Sequence, residues 1–123
     1  MVCGLYDPGL RVLRWARAGH LPPVVIRDGA ATVLPLPHGV LLGSAPGASY
    51  EEFTTPMAVG DTILLFTDGM IERRDSPIDE ALDQFARRGA VPQPSAAVLA
   101  DYVLAHAASD TGDDACLVAV RIR

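Results

Sequence analysis

The chain has 123 residues, half of them hydrophobic, and its 10 basic and 15 acidic side chains give a formal net charge of −5. This length suits one domain with a real core, and the hydrophobic content excludes general disorder. The acidic balance disfavours a nucleic-acid binder, and no apolar run reaches the roughly 18 residues of a membrane span. The first residues lack the basic start and long apolar stretch of a secretion signal, so we expect a cytoplasmic protein.

The first half of the chain is predicted to form β-strands separated by turns. The predicted strands cover residues 2–6, 11–18, 23–27, 31–34 and 50–55. Asp7-Pro8-Gly9 is a strong turn signal that ends the first strand. Asp28-Gly29 lies between two short apolar runs and is typical of a two-residue hairpin, so the third and fourth strands should pair with each other.

The most apolar strand is predicted over residues 62–66, after a turn at Gly60-Asp61. Its apolar residues are continuous rather than alternating, which indicates burial on both faces of a sheet. Thr67 and the pair Asp68-Gly69 follow directly. The pattern therefore predicts a carboxylate at the rim of the sheet, followed by a residue that permits a tight turn.

Beyond this strand the hydrophobic pattern changes to a helical period. A first helix is predicted with Ser76 as its N-cap and Pro77 at the first helical position. Asp79, three residues after Ser76, resembles the second member of a capping box. A second helix is predicted to begin near Ser95, and a last alternating strand covers residues 115–122.

The order of strands, two helices and a final strand predicts an α+β fold with mostly antiparallel sheet. We expect the final strand to lie beside the strand over residues 62–66. That placement would bring Asp113 and Asp114, at the entry of the final strand, close to Asp68 at the exit of its neighbour.

These carboxylates are the candidates for chemistry. Asp68 and the Asp113-Asp114 pair would repel each other across the rim unless a divalent cation lay between them, and oxygen ligands of this kind suit Mg²⁺ or Mn²⁺. Gly69 would allow the turn that presents Asp68. From the residues alone, a plain turn at Asp68-Gly69 and a solvated strand entry at Asp113-Asp114 are the favoured interpretation.

Four segments in this order resemble one family. They are Ala18-Gly19-His20-Leu21-Pro22-Pro23, Leu41-Leu42-Gly43, the stretch from Gly60 to Arg73, and Asp113-Asp114-Ala115-Cys116-Leu117-Val118. Together they resemble the C-terminal half of the SpoIIE-like branch of the metal-dependent (PPM, type 2C-like) serine/threonine protein phosphatases. The resemblance implies part of an α-β-β-α sandwich of antiparallel sheets flanked by helices. It also implies that residues 1–123 are the C-terminal portion of a phosphatase domain whose N-terminal half is absent.

The resemblance further implies a site and an activity. Asp68, with the adjoining Gly69, and Asp113 would hold metal, and Asp114 would replace Asp113 if the register shifts by one residue. His20 would either line the site or make a hydrogen bond that fixes the turn over residues 19–22. In the complete domain, two Mn²⁺ or Mg²⁺ ions would activate water for attack on phosphoserine or phosphothreonine. The implied substrate is a phosphorylated bacterial regulatory protein such as an anti-anti-sigma factor.

One departure from the family keeps a second hypothesis open. The N-terminal half of the complete domain carries a glycine-rich Asp-Gly motif that supplies further metal ligands, and no segment of this chain matches it. The chain would then be a truncated, non-catalytic module for regulation or protein interaction. Sheet edges left without their partners also make a homo-oligomer conceivable.

Overall fold

The computed structural model describes residues 1–35, 40–71, 76–107 and 114–123. Within these ranges the chain forms seven β-strands and two α-helices, and the α+β class with antiparallel sheets is confirmed. The elements are β1 (Val2–Asp7), β2 (Val12–Arg17), β3 (Val24–Arg27), β4 (Ala30–Val33), β5 (Phe53–Pro56), β6 (Thr62–Phe66), α1 (Ile78–Gly89), α2 (Ala96–Ala105) and β7 (Leu117–Arg121). None of the helices in the described ranges has the length and apolar character required to cross a membrane.

The chain divides into two compact units. The first takes Met1–Pro22 and Pro35–Ala58, and the second takes Pro23–Leu34 and Val59–Arg123. Each unit has its own antiparallel sheet, with strand order β1-β2-β5 in the first and β4-β3-β6-β7 in the second.

The sheet of the first unit is organised around β2. Trp15 and Leu13 on this strand are buried, and the ring of Trp15 lies 5.3 Å from that of Phe53 on β5. The indole Nε1 of Trp15 donates to Thr55 Oγ1 at 3.1 Å, which satisfies the polar group of this buried side chain. The predicted strand over residues 50–55 is shorter and begins later than expected, because only Phe53–Pro56 pairs with β2.

The hairpin of the second unit confirms the interpretation of Asp28-Gly29. Arg27 on β3 pairs with Ala30 on β4, so Asp28 and Gly29 form a two-residue loop. Both loop residues have positive φ, 49° for Asp28 and 76° for Gly29, as a type I′ turn requires. This turn follows the right-handed twist of the two strands, which explains why the local sequence predicts it well.

Strand β6 is the centre of the second sheet, with β3 on one side and β7 on the other. Four of its five residues are buried, as the continuous apolar run predicts. The predicted neighbour relation with the final strand is also confirmed, since Phe66 pairs with Leu117 and Thr62 pairs with Arg121. The exit of β6 therefore lies beside the entry of β7, where the candidate carboxylates are found.

The two helices belong to the same unit as this sheet. The ring of Phe85 on α1 lies 4.0 Å from that of Phe66 on β6, and α2 buries Leu99 and Val103. The predicted start of α2 near Ser95 is confirmed, and the structure adds that Ser95 is its N-cap, with Oγ accepting from Val98 N at 3.2 Å. The capping box predicted for α1 is wrong.

The N-cap position of α1 is taken by Pro77, not Ser76, and no side chain caps the helix there. Ser76 thus lies one residue too early for its hydroxyl to reach the first free amide groups. The main-chain carbonyl of Pro77 accepts from Ala81 N at 3.1 Å and so starts the helical hydrogen bonds.

Candidate metal centre

Asp68 lies directly after β6, at the start of a short 3-10 turn over Asp68–Met70. The turn is closed by two main-chain hydrogen bonds, from Met70 N to Thr67 O at 3.0 Å and from Ile71 N to Asp68 O at 2.8 Å. The side chains of Met70 and Ile71 are buried, with exposed fractions of 1% and 3%. Asp68 itself is exposed. Two buried anchors therefore hold a turn whose carboxylate remains accessible to solvent.

The carboxylate of Asp68 is oriented by its own backbone. Its Oδ1 accepts from Gly69 N at 3.0 Å, whereas Oδ2 makes no hydrogen bond with any of the described residues. An ionised carboxylate has about four lone-pair sites, so the described residues leave most of its acceptor capacity unused. This arrangement suits a hard cation or water as the next partner.

Thr67 connects the Asp68 turn to the entry of β7. Its hydroxyl donates to the main-chain oxygen of Asp114 at 3.0 Å and accepts from Cys116 N at 2.9 Å. Its own amide donates to Cys116 O at 3.0 Å. Sequence reasoning treated Thr67 only as the end of a strand and missed this role. The signal was its place immediately before Asp68-Gly69, where a hydroxyl can bond to the neighbouring strand.

The structure brings Asp68 and Asp114 to the same end of the β6–β7 pair, as predicted. Asp114 is exposed. Asp113 lies outside the described residues. Across residues 1–35, 40–71, 76–107 and 114–123, no three His, Cys, Asp or Glu side chains form a group that could hold a metal ion. Of the predicted ligands, the described part of the chain thus places two carboxylates on neighbouring segments.

His20 belongs to the first unit, whereas Asp68 and Asp114 belong to the second. Its ring Nδ1 lies 2.8 Å from the main-chain oxygen of Leu21. A carbonyl oxygen only accepts, so Nδ1 carries the proton, and in the neutral ring Nε2 keeps its lone pair. The bond ties the half-buried ring to the main chain of the residue that follows it, within the segment of residues 19–22.

Gly19, just before His20, is required by the backbone. Its φ is +67°, and a Cβ at this position would lie 2.3 Å from Leu41 Cδ2. A side chain here would be both strained and in contact with the loop that contains Leu41. The Ala18-Gly19-His20 segment therefore owes its glycine to a left-handed conformation.

Asp61, at the other end of β6, has a structural role. It is only 1% exposed, and its Oδ1 and Oδ2 accept from Arg27 Nε at 2.8 Å and Arg27 Nη2 at 2.6 Å. The hydrogen bonds and charge of Asp61 raise the pKa of Arg27 above its ordinary value. The paired fork holds the ends of β3 and β6 together, at the end of the sheet away from Asp68.

In the part that the structure describes, the chain has two antiparallel sheets, a pair of helices, and an Asp-Gly turn with an exposed carboxylate after a buried strand. This architecture places it among proteins with the PP2C phosphatase fold. The chain belongs to the SpoIIE family, because the sequence model of that family, Stage II sporulation protein E (SpoIIE), matches residues 1–123.

Solved structures agree with this assignment. The RsbU and RsbW domains of Rv1364c from Mycobacterium tuberculosis match with a TM-score of 0.81 and 28% identity over 99% of this chain and 36% of that one. The manganese-presoaked phosphatase domain of SpoIIE from Bacillus subtilis matches with a TM-score of 0.65 and 17% identity, over 99% of this chain and 56% of that one. The SiaA-PP2C domain of Pseudomonas aeruginosa has a TM-score of 0.61 and 21% identity, over 93% and 48%.

The chain thus spans between about a third and somewhat more than half of these three neighbours. The two neighbours with lower identity support the fold alone.

Proposed function

We propose that this chain supplies the Asp68 end of a metal-dependent, SpoIIE-type serine/threonine protein phosphatase that acts in the cytoplasm. The observation that supports this function best is the carboxylate of Asp68. It is exposed, has an Oδ2 that makes no hydrogen bond with the described residues, and stands on a turn that Thr67 ties to the segment of Asp114. The match of the SpoIIE family to residues 1–123 gives this geometry its chemical context.

The donor set fits a hard divalent cation in part. Asp68 and Asp114 offer carboxylate oxygens, which Mg²⁺ and Mn²⁺ prefer, and both side chains are exposed. We propose Asp68 as one ligand, beside the permissive Gly69, and Asp113 or Asp114 as the second. Further ligands would have to be added to this pair, because a stable site usually needs more protein contacts than two carboxylates.

The residues of this chain would hold the cation and orient the carboxylates that bind it. A divalent cation in such a site supplies Lewis-acid activation of water and charge neutralisation at phosphorus. The amide of Gly69 keeps Asp68 Oδ1 in one orientation, which leaves Oδ2 as the first choice for a ligand bond. Thr67 keeps the two carboxylate-bearing segments in register. Asp68 in this scheme is a ligand and not a nucleophile.

The substrate proposed is a phosphorylated bacterial regulatory protein, with an anti-anti-sigma factor as the leading example. Support comes from the neighbours: one consists of RsbU and RsbW domains, and another is the phosphatase domain of a cell fate determinant. A regulatory phosphoprotein is the substrate class that such neighbours suggest for this chain.

The test compares wild type with Asp68→Asn and the matched control Asp101→Asn. Asp101 is an exposed carboxylate on α2, so the control removes the same charge from a residue outside the candidate site. Mn²⁺ binding is measured by calorimetry, and hydrolysis of a serine-phosphorylated peptide is measured with and without Mn²⁺. We expect Asp68→Asn to weaken Mn²⁺ binding at least about tenfold and Asp101→Asn to leave it unchanged.

Two results would contradict the proposal. Equal Mn²⁺ affinity and turnover in wild type and Asp68→Asn would remove the metal role of this residue. Undetectable Mn²⁺ binding at millimolar concentration, in a chain shown to be folded by circular dichroism, would favour the alternative of a non-catalytic regulatory or interaction module.

A further inference from the structure

A cavity of about 440 Å³ lies in the second unit, at the end of β6 where Thr62 is found. Its walls are the Asp28-Gly29 hairpin turn, the Val91-Pro92-Gln93 segment between the two helices, and Arg121 at the end of β7. Strand β6 has five residues and a rise of roughly 3.3 Å per residue, so this cavity and Asp68 are at opposite ends of the strand. The cavity is therefore separate from the candidate metal centre.

The hairpin closes against the helix connection with little space to spare. A Cβ at Gly29, where φ is +76°, would lie 3.1 Å from Pro92 Cγ. Because of this close approach, Asp28 and the Val91-Pro92 segment line the same cavity. Its wall thus combines apolar surface from Val91 and Pro92 with polar groups from the strands.

Arg121 supplies an oriented cation to the cavity. Its Nε donates to Thr62 Oγ1 at 3.0 Å and its Nη1 donates to the main-chain oxygen of Gln93 at 2.9 Å. Both acceptors are neutral, and Arg121 forms no salt bridge within the described residues. The guanidinium is held in place by two bonds, and no described residue uses its Nη2 donors or neutralises its charge.

Asp28 supplies the opposite charge. This exposed carboxylate makes no hydrogen bond or salt bridge with any of the described residues. Together with Asp61, which has the larger effect, its negative charge raises the pKa of the neighbouring Arg27, but the guanidinium of Arg27 is bound in a fork to Asp61. Among the described residues, the cavity lining therefore presents one carboxylate and one guanidinium with no partner of opposite charge bonded to either.

We propose that this cavity binds a small zwitterion, a free α-amino acid, with its carboxylate on Arg121 and its ammonium group near Asp28. A simple anion would be repelled by Asp28, and a simple cation would be repelled by Arg121. A ligand that carries both charges satisfies both groups at once. The cavity volume lies within the usual range for small-molecule sites, roughly 300–1,000 Å³. Val91 and Pro92 offer apolar contact, which favours an aliphatic side chain such as that of valine or leucine.

The test measures binding of L-leucine and L-valine to the full 123-residue chain by calorimetry. Isoamylamine and N-acetyl-leucine each lack one of the two charges, and sodium acetate and inorganic phosphate represent simple anions. We expect the free amino acids to bind at least about tenfold more tightly than any of these four probes. Binding of acetate or phosphate as tight as that of leucine would overturn the zwitterion assignment, and so would the absence of leucine binding to the folded chain.

Two variants locate the site. Asp28→Asn removes the charge, yet Asn-Gly is the preferred pair for a type I′ turn, so the hairpin should persist. Arg121→Gln removes the cation and keeps a polar side chain. We expect each variant to weaken leucine binding at least about tenfold and Asp101→Asn to leave it unchanged. Leucine affinity that survives Asp28→Asn and Arg121→Gln in folded protein would contradict the proposal. Mn²⁺ affinity should be the same in both variants as in wild type, since neither substitution touches Asp68, and this separates the cavity from the candidate metal centre.

Discussion

The hydroxyl of Thr67 donates to the main-chain oxygen of Asp114 at 3.0 Å and accepts from Cys116 N at 2.9 Å, so one side chain joins the exit of β6 to the entry of β7. The bond spans 47 positions in the sequence. Asp68 follows Thr67 directly, so the position of its carboxylate relative to Asp114 depends on this connection.

Replacing Thr67 by Val should lower the free energy of unfolding by about 1 kcal/mol, because two solvent-accessible hydrogen bonds are lost while the branched shape is kept. Mn²⁺ affinity should fall severalfold as the Asp68 and Asp114 segments lose their register. Urea unfolding and calorimetry measure the two effects. Thr32→Val, at an exposed threonine on β4, is the matched control and should change neither quantity. A Thr67→Val protein with normal Mn²⁺ affinity would show that the hydroxyl does not position the site.

The features predicted correctly from the sequence are those with local physical causes. The hairpin at Asp28-Gly29 follows from a residue pair that tolerates positive φ, and the start of α2 follows from the change to a helical pattern after Ser95. The burial of β6 follows from an uninterrupted apolar run. Each of these signals is contained within a few neighbouring residues.

The features that the sequence did not reveal depend on distant partners or on a shift of one residue. Asp61 resembled an ordinary turn residue, since its partner Arg27 is 34 positions away. The role of Thr67 required the register of β7 to be known. The predicted N-cap of α1 was wrong by one residue, because the helix begins at Ile78 and its N-cap is Pro77 instead of Ser76. Outside a tight hairpin, a local pattern does not show which distant residue will bond to a given side chain.

The fork between Arg27 and Asp61 predicts unequal costs for removing its two members. Asp61 is 1% exposed, whereas the Arg27 side chain is 49% exposed. Arg27→Gln leaves a buried carboxylate without its cation, which should cost about 3 kcal/mol. Asp61→Asn leaves a guanidinium that water can reach, so its cost should be smaller, about 2 kcal/mol. Chemical denaturation of both variants measures the difference, and a larger loss for Asp61→Asn would contradict this account.

The contribution of Arg27 should not vary with pH across the neutral range. Its pKa is raised above the ordinary value by the hydrogen bonds and charge of Asp61. A raised pKa adds stability that is fully present below the unfolded-state pKa and is lost only as the pH rises through the folded-state value. The difference in unfolding free energy between wild type and Arg27→Gln should therefore be constant from about pH 7 to pH 10. A difference that shrinks between those limits would mean that another titrating group controls the pair.

Gly19→Ala separates backbone strain from steric contact in the Ala18-Gly19-His20 segment. The positive φ of Gly19 should cost an alanine about 1–2 kcal/mol, and the added Cβ would lie 2.3 Å from Leu41 Cδ2. Leu41 is 62% exposed, so its side chain can move aside at little cost. The double variant Gly19→Ala, Leu41→Ala should therefore recover less than about 0.5 kcal/mol of the loss in a double-mutant cycle. Full recovery on removing the Leu41 side chain would show that the contact, and not the left-handed backbone, is the reason for glycine at this position.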